Sequence, residues 1–287
     1  MTARAAPAVS SASRALSTTT LPTTTSLPAH IWHIPATSPS PSHHLLVIPG
    51  FLTSSRTSTK IMHLARSAHP STSFLTLDHY GTFAHHGHLW SGTRRPGRAP
   101  TDITLHRWTH DVASAVDAVG WEGGDLTVVG ISLGFALATR LVPRWTERFD
   151  RVHLVGVGGA VVDPSRSLRA KCAPTADGWY RMRSKYAESG EFAVPAAFLE
   201  NGPREGAEFY PIEGRVEWPW NVDVTCVHGV RDVDVPFERA EMEWDTVWGV
   251  ESVRVVKVED GDHQLSREQD LEVLEKVVLG AVGEEVK

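Results

Sequence analysis

The chain is short of cysteine: Cys172 and Cys226 are the only two in 287 residues. A disulfide framework and the repeated Cys-pair spacing of a zinc site are therefore excluded, and two free thiols fit a reducing compartment. Long apolar runs are also missing. The longest, 126–142 and 152–162, are broken by Gly, Ser or charge and read as core rather than as the roughly 20 apolar residues that a membrane helix needs. There is no basic excess either. The net charge of -6 argues against a nucleic-acid partner, because phosphate recognition relies on concentrated Lys and Arg. Finally, no Asp or Glu precedes Asp78, and within the first 40 residues the only charged side chains are Arg4 and Arg14, set among Ser, Thr, Ala and Pro.

That N-terminal composition has two readings. An Arg-bearing, Ser-rich, acid-free segment resembles a mitochondrial transit peptide. The same residues also fit a disordered tail, since they bury too little apolar surface to offset chain entropy. A secretory signal is excluded by the lack of a continuous apolar stretch. The expectation is a presequence or tail over 1–40 and one folded domain over 41–287, with mitochondrial or, alternatively, cytoplasmic residence.

What is present is ordinary globular material, 41% apolar and 22% charged, in a chain long enough to bury a sizeable core. LLVIP (45–49), FLTLD (74–78), DLTVVGI (125–131), RVHLVGVG (151–158), VTCVHG (224–229) and SVRVVKV (252–258) are short apolar runs. Helical spacing over 104–119, 133–141 and near 266–280 separates several of them. Strands apolar on both faces, alternating with helices, predict a mostly parallel central sheet with helices on both faces. Residues of about 161–220 show no sheet periodicity and read as an inserted cap. There is no internal repeat.

The sharpest motif is Gly130-Ile131-Ser132-Leu133-Gly134. It has the form G-x-S-x-G between a predicted strand and a predicted helix, the context of a nucleophile elbow. Such a turn lifts the Ser132 hydroxyl clear of the sheet, beside a helix N-terminus that favours developing negative charge. The chemistry then needs two backbone N–H donors for an oxyanion. Leu133 follows the nucleophile, and Phe51 lies in Pro49-Gly50-Phe51 after an earlier strand, where Gly50 permits close backbone approach.

Fifteen histidines make any one of them a weak candidate, but His263 directly follows the last strand, where an imidazole can reach over the sheet edge to act as general base. The acid belongs after the preceding strand, in His228-Gly229-Val230-Arg231-Asp232-Val233-Asp234-Val235-Pro236. Asp232 fits G-x-x-D-x-x-V-P best. Asp234, alternatively a helix cap, and Asp163, after the 151–158 strand, stay open. Ser, then Asp, then His is the chain order of the α/β-hydrolase fold.

Other features carry less. His85, His86 and His88 lie close together, but no Cys or well-spaced carboxylate joins them, so a solvated loop is the simpler reading than a metal site. His153 reads as a core histidine and Cys226 as an inert mid-strand thiol. Trp179, Trp218 and Trp220 either line an acyl pocket in the cap or serve packing.

Within the cap, WYRMRSKYAESGEFAVPAAFLE (179–200), followed by VTCVHGVRDVDVP (224–236), resembles the abhydrolase-domain-containing protein ten family, mitochondrial palmitoyl-protein thioesterases and acyl-glucuronide esterases. Ser184-Lys185-Tyr186, the Gly190-x-Phe192-x-x-Pro195 spacing, the Asp78-x-x-Gly81 turn and Arg107-Trp108 are the informative pieces. The resemblance implies the α/β-hydrolase fold with Ser132, Asp232 and His263 as a triad. It also implies cofactor-free hydrolysis of S-acyl thioesters on proteins or of small-molecule acyl esters. Two departures stand out: Phe135 where that family tends to have a second glycine, and a longer, more basic loop over 82–101. A non-catalytic ligand-binding protein on the same frame is the reading from another class.

Overall fold

The computed structural model describes residues 17–20, 30–38, 40–80, 82, 101, 103–159, 161–184, 190–200, 212 and 214–280. His85, His86, His88, most of the 82–101 loop and the Lys185-Tyr186 pair lie outside them, as do residues 1–16, 21–29 and Gly81.

In chain order the elements are β1 (Ser17–Thr20), β2 (His30–Ile34), β3 (His43–Ile48), α1 (Thr59–Ser67), β4 (Thr72–Asp78), α2 (Leu105–Ala118), β5 (Asp125–Ile131), α3 (Leu133–Leu141) and β6 (Arg151–Val157). The chain continues through α4 (Pro164–Arg169), β7 (Cys172–Pro174), β8 (Trp179–Arg183), β9 (Glu191–Pro195), α5 (Ala196–Glu200), β10 (Val222–Gly229), α6 (Phe237–Trp248), β11 (Val253–Val258) and α7 (Glu268–Leu279).

Eight strands form one sheet in the order β1-β2-β4-β3-β5-β6-β10-β11. The last six are mutually parallel, and β1 and β2 add two antiparallel pairings at one edge. Every residue of β3 and β4 is buried, as interior parallel strands require when helices cover both faces. The two-residue period sorts their side chains. Leu46 and Ile48 enter a core with Trp108, Phe135 and Trp244 of α2, α3 and α6, while Leu45 and Val47 enter a second core with Ile61, Leu64, Leu271 and Leu274 of α1 and α7.

β3 is followed in sequence by β4 on one side and in space by β5 on the other. The sheet order therefore reverses at β3/β5, and in open α/β sheets the crevice beyond the strand ends at such a point is where ligands bind. Gly50 and Ser132 both lie just past those ends.

Two expectations are corrected. The segment taken as presequence or tail contains β2, whose Ile31, Trp32 and Ile34 are buried against the sheet. Of the two antiparallel strands in this segment, β1 is one Ser and three Thr and β2 is five residues long, so this small apolar cluster is the signal and the Ser/Thr/Pro surroundings hide it. The excursion between β6 and β10 also carries sheet structure. β7, β8 and β9 form a separate antiparallel sheet, in strands of three to five residues, too short for a two-residue alternation to stand out.

Phe135, the departure from the family pattern, is fully buried. It sits between α3 and β6, with its ring 5.6 Å from Trp248. Gly156 makes the room, since an added Cβ there would overlap the Phe135 ring. The large side chain thus goes beneath the elbow helix. Gly156→Ala is expected to cost about 1–3 kcal/mol through overpacking. Phe135→Leu should relieve part of that cost, read as non-additivity of urea-unfolding free energies in the double mutant.

Candidate active site

The elbow is built by close approach. A Cβ on Gly134 would lie 2.6 Å from the Pro49 carbonyl oxygen, so only glycine lets α3 start against the end of β3. Ser132 has φ 50 and ψ -117, outside the helical and extended regions, a conformation that stores about 1–3 kcal/mol of strain. Surrounding bonds hold it: Ser132 N donates to Val157 O at 2.8 Å, and Phe135 N donates to Ser132 O at 3.0 Å.

Beyond β10 and β11 two loops lock together. Val230 N donates to Val258 O at 3.0 Å and Arg231 N to Gly261 O at 2.9 Å. This brings His263 beside Asp232, with Nδ1 2.7 Å from Oδ2. His263 Nε2 lies 3.1 Å from Ser132 Oγ. An ionised carboxylate only accepts, so Nδ1 carries the proton and Nε2 is left to accept from the serine hydroxyl.

Asp232 is buried at 4% exposure. Its other oxygen, Oδ1, accepts from Asp234 N and Val235 N, each at 2.8 Å. Burial pushes its pKa up, but hydrogen bonding from His228 and His263, the neighbouring imidazole and the backbone N–H outweigh that and hold the carboxyl well below its ordinary range. A depressed carboxylate contributes stability above its unfolded pKa of about 4 and loses it as pH falls below that value.

The two other acid candidates do different work. Asp163 caps α4, its Oδ1 accepting from Arg166 N at 2.9 Å. Asp234 presents its backbone to the site, and its carbonyl accepts from Lys171 Nζ at 2.9 Å. Among the described residues, Asp232, Asp234 and His263 are the group whose ligand atoms lie close enough to hold a metal ion. The bonds just described already occupy Asp232 and His263.

Leu133 opens α3, so its N–H has no intrahelical carbonyl. Gly50 packs on the nucleophile, where an added Cβ would lie 3.3 Å from Ser132 Cβ. Phe51 therefore follows directly from a point of contact with the serine.

The tryptophans part company. Trp179 is buried on β8. Trp220 is 92% exposed, just before β10 begins, whereas Asp232 follows that strand's end. Val222 pairs with Val152, which pairs with Leu126, six residues short of Ser132, so about 20 Å of strand separates Trp220 from the hydroxyl. Trp218 packs 6.2 Å from Trp248. Trp220 therefore does not line the site, a correction that follows from strand direction.

Four contributors escaped the sequence reading. His228 Nε2 donates to Val235 O at 2.8 Å and lies 3.3 Å from Asp232 Oδ2; its place opening the G-x-x-D loop was the available clue. Phe198 of α5 lies 5.7 Å from Phe51 and 4.6 Å from Trp108 between ring centroids, docking the excursion on the oxyanion loop. Where the excursion leaves the core, Glu243 Oε2 accepts from Val161 N and Val162 N at 2.8 and 3.0 Å, and Arg140 donates to both of their carbonyls at 3.1 Å. Nothing local in sequence marks these last contacts.

A doubly covered parallel sheet with a serine on the β5–α3 turn, an acid after β10 and a histidine after β11 is the α/β-hydrolase fold. Solved structures agree. The chain is similar to a protein from Agrobacterium vitis at TM-score 0.72 and 19% identity, over 94% of this chain and 100% of that one. It is similar to alpha/beta hydrolase domain-containing protein 10 from mouse at TM-score 0.69 and 21% identity, over 93% and 98%. The esterase domain of a Rhodothermus marinus protein matches at TM-score 0.60 and 16% identity, over 93% and 97%. At these identities the likeness is one of fold. No protein-family model matches the sequence, and no curated protein matches it. Among the described residues, no helix is long and apolar enough to cross a membrane.

Proposed function

We propose that the protein is a serine hydrolase that cleaves acyl esters or thioesters through an acyl-enzyme on Ser132. The observation that carries this reading is the unbroken relay from Ser132 Oγ through His263 to Asp232, at 3.1 and 2.7 Å. As Oγ attacks the acyl carbon, its proton passes to His263 Nε2, and Asp232 stabilises the resulting imidazolium. The carbonyl oxygen becomes an oxyanion facing the N–H groups of Leu133 and Phe51. Collapse expels the alcohol or thiol, which takes the proton from Nε2. Water then attacks the acyl-enzyme, giving its proton to the same nitrogen, and the carboxylic acid leaves as Ser132 is restored.

The finer reading is an acyl-protein, palmitoyl-type thioesterase, supported by the sequence resemblance over 179–200 and 224–236. A small-molecule carboxylesterase is the second reading, favoured by Phe198 closing on the oxyanion loop. A p-nitrophenyl acyl ester series set against an S-palmitoylated peptide separates them. Turnover of both, with the peptide at least as fast, is expected. A peptide far slower than the short ester leaves the carboxylesterase, and no turnover at any chain length removes the hydrolase reading.

A further inference from the structure

Lys60 is 7% exposed, and it is the second residue of α1, where the helix dipole disfavours a cation. A lysine in such a place needs a partner. Its Nζ donates to the backbone carbonyl of Gln264, the residue after His263. From within the same turn, Asp262 Oδ1 accepts from Gln264 N at 2.9 Å and Leu265 N at 3.2 Å. Leu265 is fully buried at φ 41. His263 is thus carried on a tight turn gripped by Asp262 from inside and by Lys60 from outside.

We propose that Lys60 is a positioning residue for His263: its ammonium holds the Gln264 carbonyl, and with it the turn that aims the imidazole at Ser132. This rests on the serine-hydrolase reading. The charged groups around Lys60 are Asp262 of that turn and Asp270 of α7, itself paired with Arg267 at 2.7 Å. One turn along α1, His63 pairs with Glu275 of α7. Burial lowers the Lys60 pKa from 10.5 to about 8, with Asp262 and Asp270 opposing the drop.

Two consequences run in opposite directions. As pH rises through about 8 the ammonium loses its charge, the grip on the turn weakens and kcat/KM falls. Stability from this group does the reverse. Below about 8 the folded and unfolded chains are both charged and the burial penalty is full, whereas between about 8 and 10.5 only the unfolded chain keeps the proton, so stability rises with pH. A lysine that merely packed would not separate activity from stability in this way.

The test is Lys60→Met in the full chain. At pH 7 its Tm is expected to equal or exceed that of wild type, because an apolar side chain replaces a buried charge, while kcat/KM drops by about tenfold from a misplaced base. The alkaline fall in kcat/KM above about pH 8 is expected in wild type and absent from the variant. Asp262→Asn keeps the acceptor for both N–H groups but removes the charge that favours the ammonium, so the alkaline fall should move to lower pH. The assignment is overturned by an unaltered alkaline fall in Lys60→Met, by parallel loss of Tm and activity, or by an unmoved fall in Asp262→Asn. Fluorophosphonate labelling of wild-type Ser132 tells the two readings apart. No labelling removes the hydrolase reading and this inference with it, whereas labelling with an unaltered alkaline fall strikes Lys60 alone.

Discussion

Ser132→Ala is expected to lower kcat by about 10⁶-fold, since removing the nucleophile of a serine relay costs nearly as much as removing the whole relay. It should also abolish fluorophosphonate labelling. The lost oxygen makes one side-chain hydrogen bond, to His263, while the strained backbone is held by Val157 and Phe135. Stability should therefore change by no more than about 1 kcal/mol. Residual labelling on Ser132→Ala would mean that another residue is the nucleophile.

Asp232→Asn is expected to lower kcat by about 10⁴-fold. The reason is in the two oxygens. Oδ1 accepts two backbone N–H groups, so an asparagine must keep its carbonyl there and turn its NH₂ toward His263. That NH₂ needs an acceptor, which forces the imidazole proton from Nδ1 to Nε2, and Nε2 can then no longer accept from Ser132. Asp163→Asn preserves a good helix cap, and Asp234 serves the relay through its backbone N–H, which donates to Asp232 Oδ1 at 2.8 Å and is kept in Asp234→Asn. Both controls should stay within about tenfold of wild type, the scale of a modest positional disturbance. Equal losses in Asp232→Asn and Asp234→Asn, measured as kcat on one short ester, would defeat the assignment.

Phe135 shows how a local departure is absorbed. Read in sequence, a phenylalanine where the family has glycine threatens the elbow. In the fold, Gly156, on the following strand β6 but adjacent in space, leaves the gap that the ring fills. The compensation lies between residues twenty-one positions apart and has no local signature.

The elements that sequence alone determined are those whose cause is local. A continuous apolar run makes an interior strand, 3.6-residue spacing makes α2, and the strand–turn–helix around Ser132 makes an elbow from glycines two residues to either side. Strand ends then placed His263, and the G-x-x-D-x-x-V-P spacing ranked Asp232 above its neighbours. Tertiary structure alone decided the rest. It built β2 into the sheet edge from an unpromising Ser/Thr/Pro stretch, sent Trp220 to the far end of β10, set Phe198 against Phe51, and bound Lys60 to the turn of the histidine. Those outcomes depend on which side chains meet across tens or hundreds of residues, and periodicity, the main physical signal in a single sequence, records only what each residue does relative to its near neighbours.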